Sequence, residues 1–288
     1  MIEAYMDECG IHEGAHVCAI AGYWGTERKW KNKFKNQWKE IIKDANEPSM
    51  TEFHAVEFWN LEGKRRGVFA TWSDTKADKF IDDLANCIVE SKVHPTSAML
   101  VVDDWNKLNR DERTFLTGGL LDRETGKWTR QGAPNQKYFW PFLNAIVAPA
   151  ANTAPGLHVH YTFDLNKQFK NYALDLFSLV KTSKTVICRH RLGALDFEIG
   201  EKAPGLQAAD LFAYETYKLG KRRIQQAQPP DLTELSPLLR KLVTNKRTDD
   251  DFPFFDTEGL NFALSPMPPE RRSPGWKPVV TRLRHHAT

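Results

Sequence analysis

The sequence predicts an α/β fold, and three observations carry that expectation. Short apolar strand-like runs alternate with amphipathic helical stretches from residue 2 to about residue 218. Ala98 to Val102 (AMLVV) is a continuous apolar run, as in a central strand buried on both faces. Leu157 to Asp164 (LHVHYTFD) alternates apolar and polar residues with the period of a strand.

Composition fits a folded protein. The 288 residues are 41% hydrophobic and 27% charged, close to the globular average, and suffice for one large domain or two small ones. A formal net charge of +3 permits a nucleic-acid partner without demanding one. Cys9, Cys18, Cys87 and Cys188 form no CxxC pair, which argues against a zinc knuckle or thioredoxin motif and fits free thiols in a reducing cytoplasm. Strand-like sequence begins at residue 2 with no leader before it, and no apolar run approaches membrane-spanning length. A cytoplasmic protein without a membrane segment is expected.

The first strand covers residues 2–7, where Ile2, Ala4 and Met6 lead into Asp7-Glu8-Cys9-Gly10. Two adjacent acids read either as a solvated turn or as part of a divalent-metal site, since a cation would offset their repulsion. His16 to Tyr23 is a second strand, joined to the first by a turn from Gly10 to Gly14 as an antiparallel hairpin. Residues 27–45 form an amphipathic helix with an apolar stripe of Trp30, Phe34, Trp38 and Ile41. Arg28, Lys29, Lys31, Lys33, Lys35, Lys39 and Lys43 crowd its remaining faces. They form either a solvated face or a surface that follows a phosphate backbone.

Thr51 to Asn60 contains His54 and Glu57 at i, i+3, which share one face of a helical turn. Ser73 or Asp74 caps a helix that runs to about Ser91, and the buried strand 98–102 then ends in Asp103-Asp104. Residues 105–136 are polar and glycine-rich and read as a long loop or small insertion. Residues 137–151 read as a buried helix with Pro141 near its first turn. On the strand 157–164, His158, His160, Thr162 and Asp164 share the polar side. A helix over 167–181 and short strands at Val186–Cys188 and Leu195–Ile199 follow.

Pro204 to Lys218 (PGLQAADLFAYETYK) is a helix with proline in its first turn. Gln207, Asp210, Tyr214 and Lys218 share one sector, and the small Ala208 and Ala209 allow close approach to a sheet. An acid within so apolar a stretch is costly to bury unpaired. A metal is the partner that accounts for Asp210 together with Asp7 and Asp164. Composition changes at Lys221, so residues 1–220 are expected as one domain and 221–288 as a helical and basic extension. A helix near 231–243 is followed by Arg271, Arg272, Lys277, Arg282, Arg284, His285 and His286, either a solvated tail or an arm for nucleic acid.

Asp7-Glu8-x-Gly10 on the first strand and Gly205-Leu206-Gln207-Ala208-Ala209-Asp210-Leu211 on a late helix, with Phe53 to Phe58 between them, resemble the bacterial domain of unknown function 3800 family. Members of that family look like relatives of the ribonuclease H fold. The resemblance covers residues 1–220 and implies a ribonuclease H-like mixed sheet flanked by helices, with acids converging at one end. It further implies that Asp7 and Asp210 match the first and last metal-binding acids of such enzymes. Asp164 is our choice for the central strand, with Asp103 or Asp104 as competitors, and Glu57 is the candidate fourth acid. Glu8 joins Asp7, Asp164 and Asp210 in the expected metal set, with Mg2+ or Mn2+ as the ion. His54, His160 or Lys218 would move a proton or position phosphate. The expected activity is a two-metal nuclease or phosphodiester-transfer enzyme acting on DNA or RNA. The rivals are a non-catalytic binding module on the same fold and a zinc hydrolase using His54 and Glu57.

Overall fold

The computed structural model describes residues 1–59, 64–122, 124–184, 186–226, 235–245, 254–255, 260, 266–268 and 271–272. β1 (Ile2–Cys9) and β2 (Val17–Thr26) form the expected antiparallel hairpin. Gly10 makes the turn at a φ of +76°, and a Cβ there would lie 2.0 Å from the Val17 carbonyl oxygen. Only glycine fits both constraints. β1 continues through both acids, so Asp7 and Glu8 lie inside the ladder with β2 and not in a turn after it.

β2 runs directly into the basic helix, which is α1 (Glu27–Lys29), a π-helical segment at Trp30–Phe34, and α2 (Lys35–Asp44). Widening the helix there changes the stripe that faces inward. Trp30, Phe34, Trp38 and Ile42 are buried at regular four-residue intervals, while Ile41 is only partly covered. The rings pack one on the next, with centroids 4.9 Å apart for Trp30–Phe34 and 5.3 Å for Phe34–Trp38.

α3 (Ala55–Phe58) is a single turn, and α4 (Asp74–Ser91) begins at Ser73, whose hydroxyl accepts from the Lys76 N–H at 3.2 Å. β3 (His94–Val101) is buried along nearly its whole length. The region expected as a long loop or small insertion, 105–136, contains regular elements. It holds the end of α5 (Val102–Lys107), then α6 (Arg110–Leu116) and a small hairpin of β4 (Leu120–Leu121) and β5 (Trp128–Arg130). An Asn109–Glu112 capping box starts α6, and Gly119 and Gly132 pack against the Thr114 carbonyl. Polar composition hid this element because its apolar residues are few.

α7 (Phe139–Asn152), β6 (Val159–Asp164), α8 (Lys167–Thr182) and β7 (Leu192–Glu198) follow. The strand expected at 186–188 is part of a 3-10 turn at Ile187–Arg191. α9 (Pro204–Gln226) passes without a break through the composition shift at residue 221. Of the expected helix at 231–243, residues 231–234 lie outside the described residues, and the helix itself is α10 (Pro237–Leu242). The basic residues from Lys277 onward also lie outside them.

Five long strands make one mixed sheet in the order β7-β6-β1-β2-β3, and the two-residue β8 (Phe254–Phe255) pairs with the outer edge of β3. Only β2 runs against the others. One face packs on α9, α2 and α4 through a core that includes Trp38, Phe53, Phe80 and Phe212. The other packs on α7 and α8 through Met6, Phe142, Phe163 and Phe169. No helix among the described residues is long and apolar enough to cross a membrane.

Candidate functional site

The parallel pair β1–β6 fixes the site. Met6 lies opposite Phe163 in register, so Asp7 and Asp164 come next, side by side, where the ladder between these strands ends. Tyr161 and Phe163 point into the α7–α8 core, so period-two alternation turns Asp164 to the α9 face. Asp7 takes the same face, while Glu8 follows Met6 towards the opposite one. α9 crosses β1, β2 and β3 and brings Asp210 over Asp7. Its close approach depends on small residues: a Cβ on Gly205 would lie 2.5 Å from the Tyr5 ring, and Ala208 and Ala209 are fully buried.

These four acids line one cavity of about 250 Å³, together with Glu52, His54 and Asn166. The Ala55 N–H donates to Asp210 Oδ2 at 2.8 Å, and the Glu8 N–H donates to Asp7 Oδ1 at 2.8 Å. His54 Nε2 lies 2.9 Å from Glu52 Oε1. Gln207 ties the walls together. Its carbonyl accepts from Trp38 Nε1 at 2.9 Å and the Phe53 N–H at 3.0 Å, and its amide donates to the Gly200 carbonyl at 3.0 Å.

Asp7, Glu8, Asp164 and Asp210 are each displaced towards the neutral form. Burial first, then Asp210, Glu8 and Asp164, holds the Asp7 carboxyl well above the usual range. Burial and then Asp164 push Glu8 up to about 8, against a hydrogen bond from Asn166. Burial pushes Asp210 up to about 6, moderated by the Ala55 N–H and by His54. Asp164 is raised by burial, with Glu52 adding to it and backbone donors at Leu165 and Gly200 opposing. A side-chain hydrogen bond between Asp7 and Asp210 also opposes the rise at Asp210.

The donor chemistry fits a hard divalent cation, because the set is carboxylate oxygen throughout and Glu8 Oε2 is buried without a hydrogen-bond partner among the described residues. As they stand, Asp7 and Asp210 hydrogen-bond to each other and Glu8 is bonded by Asn166. Among the described residues no three His, Cys, Asp or Glu side chains are placed to hold one ion.

Several expected residues lie elsewhere. Glu57 does not line the cavity, and its carboxylate abuts Gly67. His54 has extended backbone (φ −124°, ψ 117°) and precedes the turn of α3, so the i, i+3 rule does not align it with Glu57. Asp103 is 2.8 Å from His16, and Asp104 is 2.7 Å from Lys107, both away from the cavity on α5. His160 packs against Gly193, four residues back along β6 from Asp164. Lys218 pairs with Glu215 and sits 4.6 Å above the Trp59 ring, two helical turns from Asp210.

Glu52 and Asn166 are the site residues that sequence reasoning passed over. Glu52 is two residues before His54, which puts both on one side of extended backbone, and Asn166 is two residues after Asp164. Comparison with protein-family models, with curated proteins and with solved structures finds no match to this chain.

Proposed function

We propose that this protein is a magnesium- or manganese-dependent enzyme that cleaves or transfers phosphodiester bonds in nucleic acid, on a ribonuclease H-like fold. The observation that carries the reading is the meeting of Asp7, Asp164 and Asp210, from two strands and a helix, in one cavity at the end of a parallel strand pair. Asp7, Glu8, Asp164 and Asp210 would hold the ions. Two bound ions supply an activated water and stabilise the leaving oxygen. His54, held by Glu52 at the cavity wall, is the group available to pass a proton. Asn166 fixes Glu8, and Gln207 fixes the segment that carries Glu52 and His54.

A second reading, a non-catalytic binding module on the same fold, draws on the Asp7–Asp210 hydrogen bond, which lets the acid cluster persist without a cation. Incubating the purified protein with DNA and RNA, single- and double-stranded, in magnesium, manganese or EDTA separates the two. Metal-dependent cleavage that Asp210→Asn reduces to background is the expected result. Absence of cleavage under every condition, or equal cleavage by wild type and variant, would overturn the enzyme reading.

A further inference from the structure

Lys35, Lys39 and Lys43 follow one another along α2 at four-residue intervals, a rise of about 6 Å between neighbours. Like charges at that spacing destabilise a helix, and opposite charges would have stabilised it. Nearby lysines are neutralised or tied down: Lys31 by Glu27, Lys33 by Glu90 at 2.9 Å, and Lys29 by the Lys92 carbonyl. Lys35, Lys39 and Lys43 are exposed and have no ion pair among the described residues. Packing does not require them, because the buried stripe of this helix is Trp30, Phe34, Trp38 and Ile42.

The row borders two depressions that meet at Pro204, the first residue of α9. One, of about 490 Å³, is edged by Lys39, Lys43 and Gln207. The other, of about 150 Å³, is edged by Lys31, Lys35 and Lys202, with Glu3 as its acid. Of the acids on the larger rim, Glu47 is already held by Lys76 at 2.7 Å, which leaves Glu201. The positive end of the α9 dipole opens between the depressions. Gln207 lines both the larger depression and the acidic cavity, so the two adjoin at this side chain.

We infer that this lysine row is the track on which the phosphate backbone of a nucleic-acid strand lies as it enters the acidic cavity. The inference rests on the reading of that cavity as a phosphodiester-cleaving site. A strand continuing past Gln207 would place its next phosphates among Asp7, Asp164 and Asp210, which repel a polyanion on their own. Cations on the approach lower this repulsion before the strand reaches the ions that the acids would hold, and Lys39 and Lys43 edge the depression that shares Gln207 with the cavity.

The test is fluorescence anisotropy of a labelled single-stranded oligonucleotide in EDTA, where cleavage is suppressed, across a salt series. Wild type is compared with Lys35→Gln/Lys39→Gln/Lys43→Gln and with a control of equal charge, Lys127→Gln/Lys170→Gln/Lys181→Gln. The expected result is a loss of at least about tenfold in affinity for the first triple variant. Its slope of log K against log salt should become shallower by about 2, near 0.7 per lost phosphate contact on a single strand. The control should match wild type. Equal losses in both variants, unchanged affinity in the first, or no binding by wild type would overturn the inference. So would preferential binding to phosphatidylserine vesicles that is lost in the same variant. The cleavage reading is scored separately on the same oligonucleotide with magnesium or manganese. Binding through the row without cleavage removes the enzyme reading alone, and cleavage with unchanged affinity in the variant removes the track alone.

Discussion

Asp210 and Glu8, with Asp7 and Asp164 acting in the same direction, make the stability of this protein depend on pH. Both carboxyls have folded-state pKa values above their ordinary ones, Asp210 at about 6 against 3.8 and Glu8 at about 8 against 4.5. The folded protein therefore binds more protons than the unfolded chain in that range, so stability falls as pH rises. The contribution is full below about pH 4 and is lost through about 6 for Asp210 and about 8 for Glu8. In EDTA the melting temperature should decline from pH 4.5 to 8, and Glu8→Gln should flatten the decline above pH 6. Asp210→Asn removes a buried charge while its amide oxygen can still accept from Ala55, so at pH 8 it should stabilise the metal-free protein by about 1–2 kcal/mol. Thermal melts of the three proteins across pH provide the measurement. A melting temperature that rises steadily over this range would contradict the placement of these acids.

The decisive element is α9. Its first turn lies so close to β1 that Gly205 touches the Tyr5 ring, and further along Gly220 packs on Val17 and Met99. Gly205→Ala should gain slightly in helix propensity, by about 1 kcal/mol, and lose more than that through overpacking, about 1–3 kcal/mol. A net loss of stability is expected from denaturant unfolding. Activity should fall further than stability does, because the shift moves Asp210 relative to Asp7. Unchanged stability and activity would mean that the Gly205–Tyr5 contact does not set the helix position. The basic helix teaches a different point. Its aromatic periodicity was legible in the sequence, yet the π-helical segment at Trp30–Phe34 replaced Ile41 with Ile42 in the core. A regular 3.6-residue repeat does not anticipate a widened turn.

At the scale of the whole molecule, the segment after α9 closes the fold and is not a detachable tail where it is described. Leu239, Leu242 and Val243 are buried in the same core as Trp38 and Phe212. Ser236 donates to the buried Glu215 at 3.0 Å, and Lys241 bonds Asp82 on α4. Leu239→Ala and Leu242→Ala should each cost about 2–5 kcal/mol, the range for emptying a packed core site. Chemical denaturation should show one cooperative transition moved to lower denaturant. A separate early transition, with the rest of the protein unaffected, would mean that α10 folds as an independent unit.

The sequence by itself determined the α/β class, the first hairpin, the polarity of β6 and the identity of Asp7, Asp164 and Asp210 as acids embedded in apolar sequence. Local rules reach that far because strand alternation, glycine turns and helix sectors depend on neighbours a few residues away. Only the tertiary structure decided which acids meet. Glu57 and Asp104 were candidates from the sequence and Glu52 was not, but Glu57 abuts Gly67 after the extended backbone of His54, and Asp104 pairs with Lys107 on α5. Glu52 and Asn166 join the cavity through the packing of their segments against α9 and β1, which brings residues more than a hundred positions apart into one space. That juxtaposition is set by strand order and helix crossing, and neither is written in any window of local sequence.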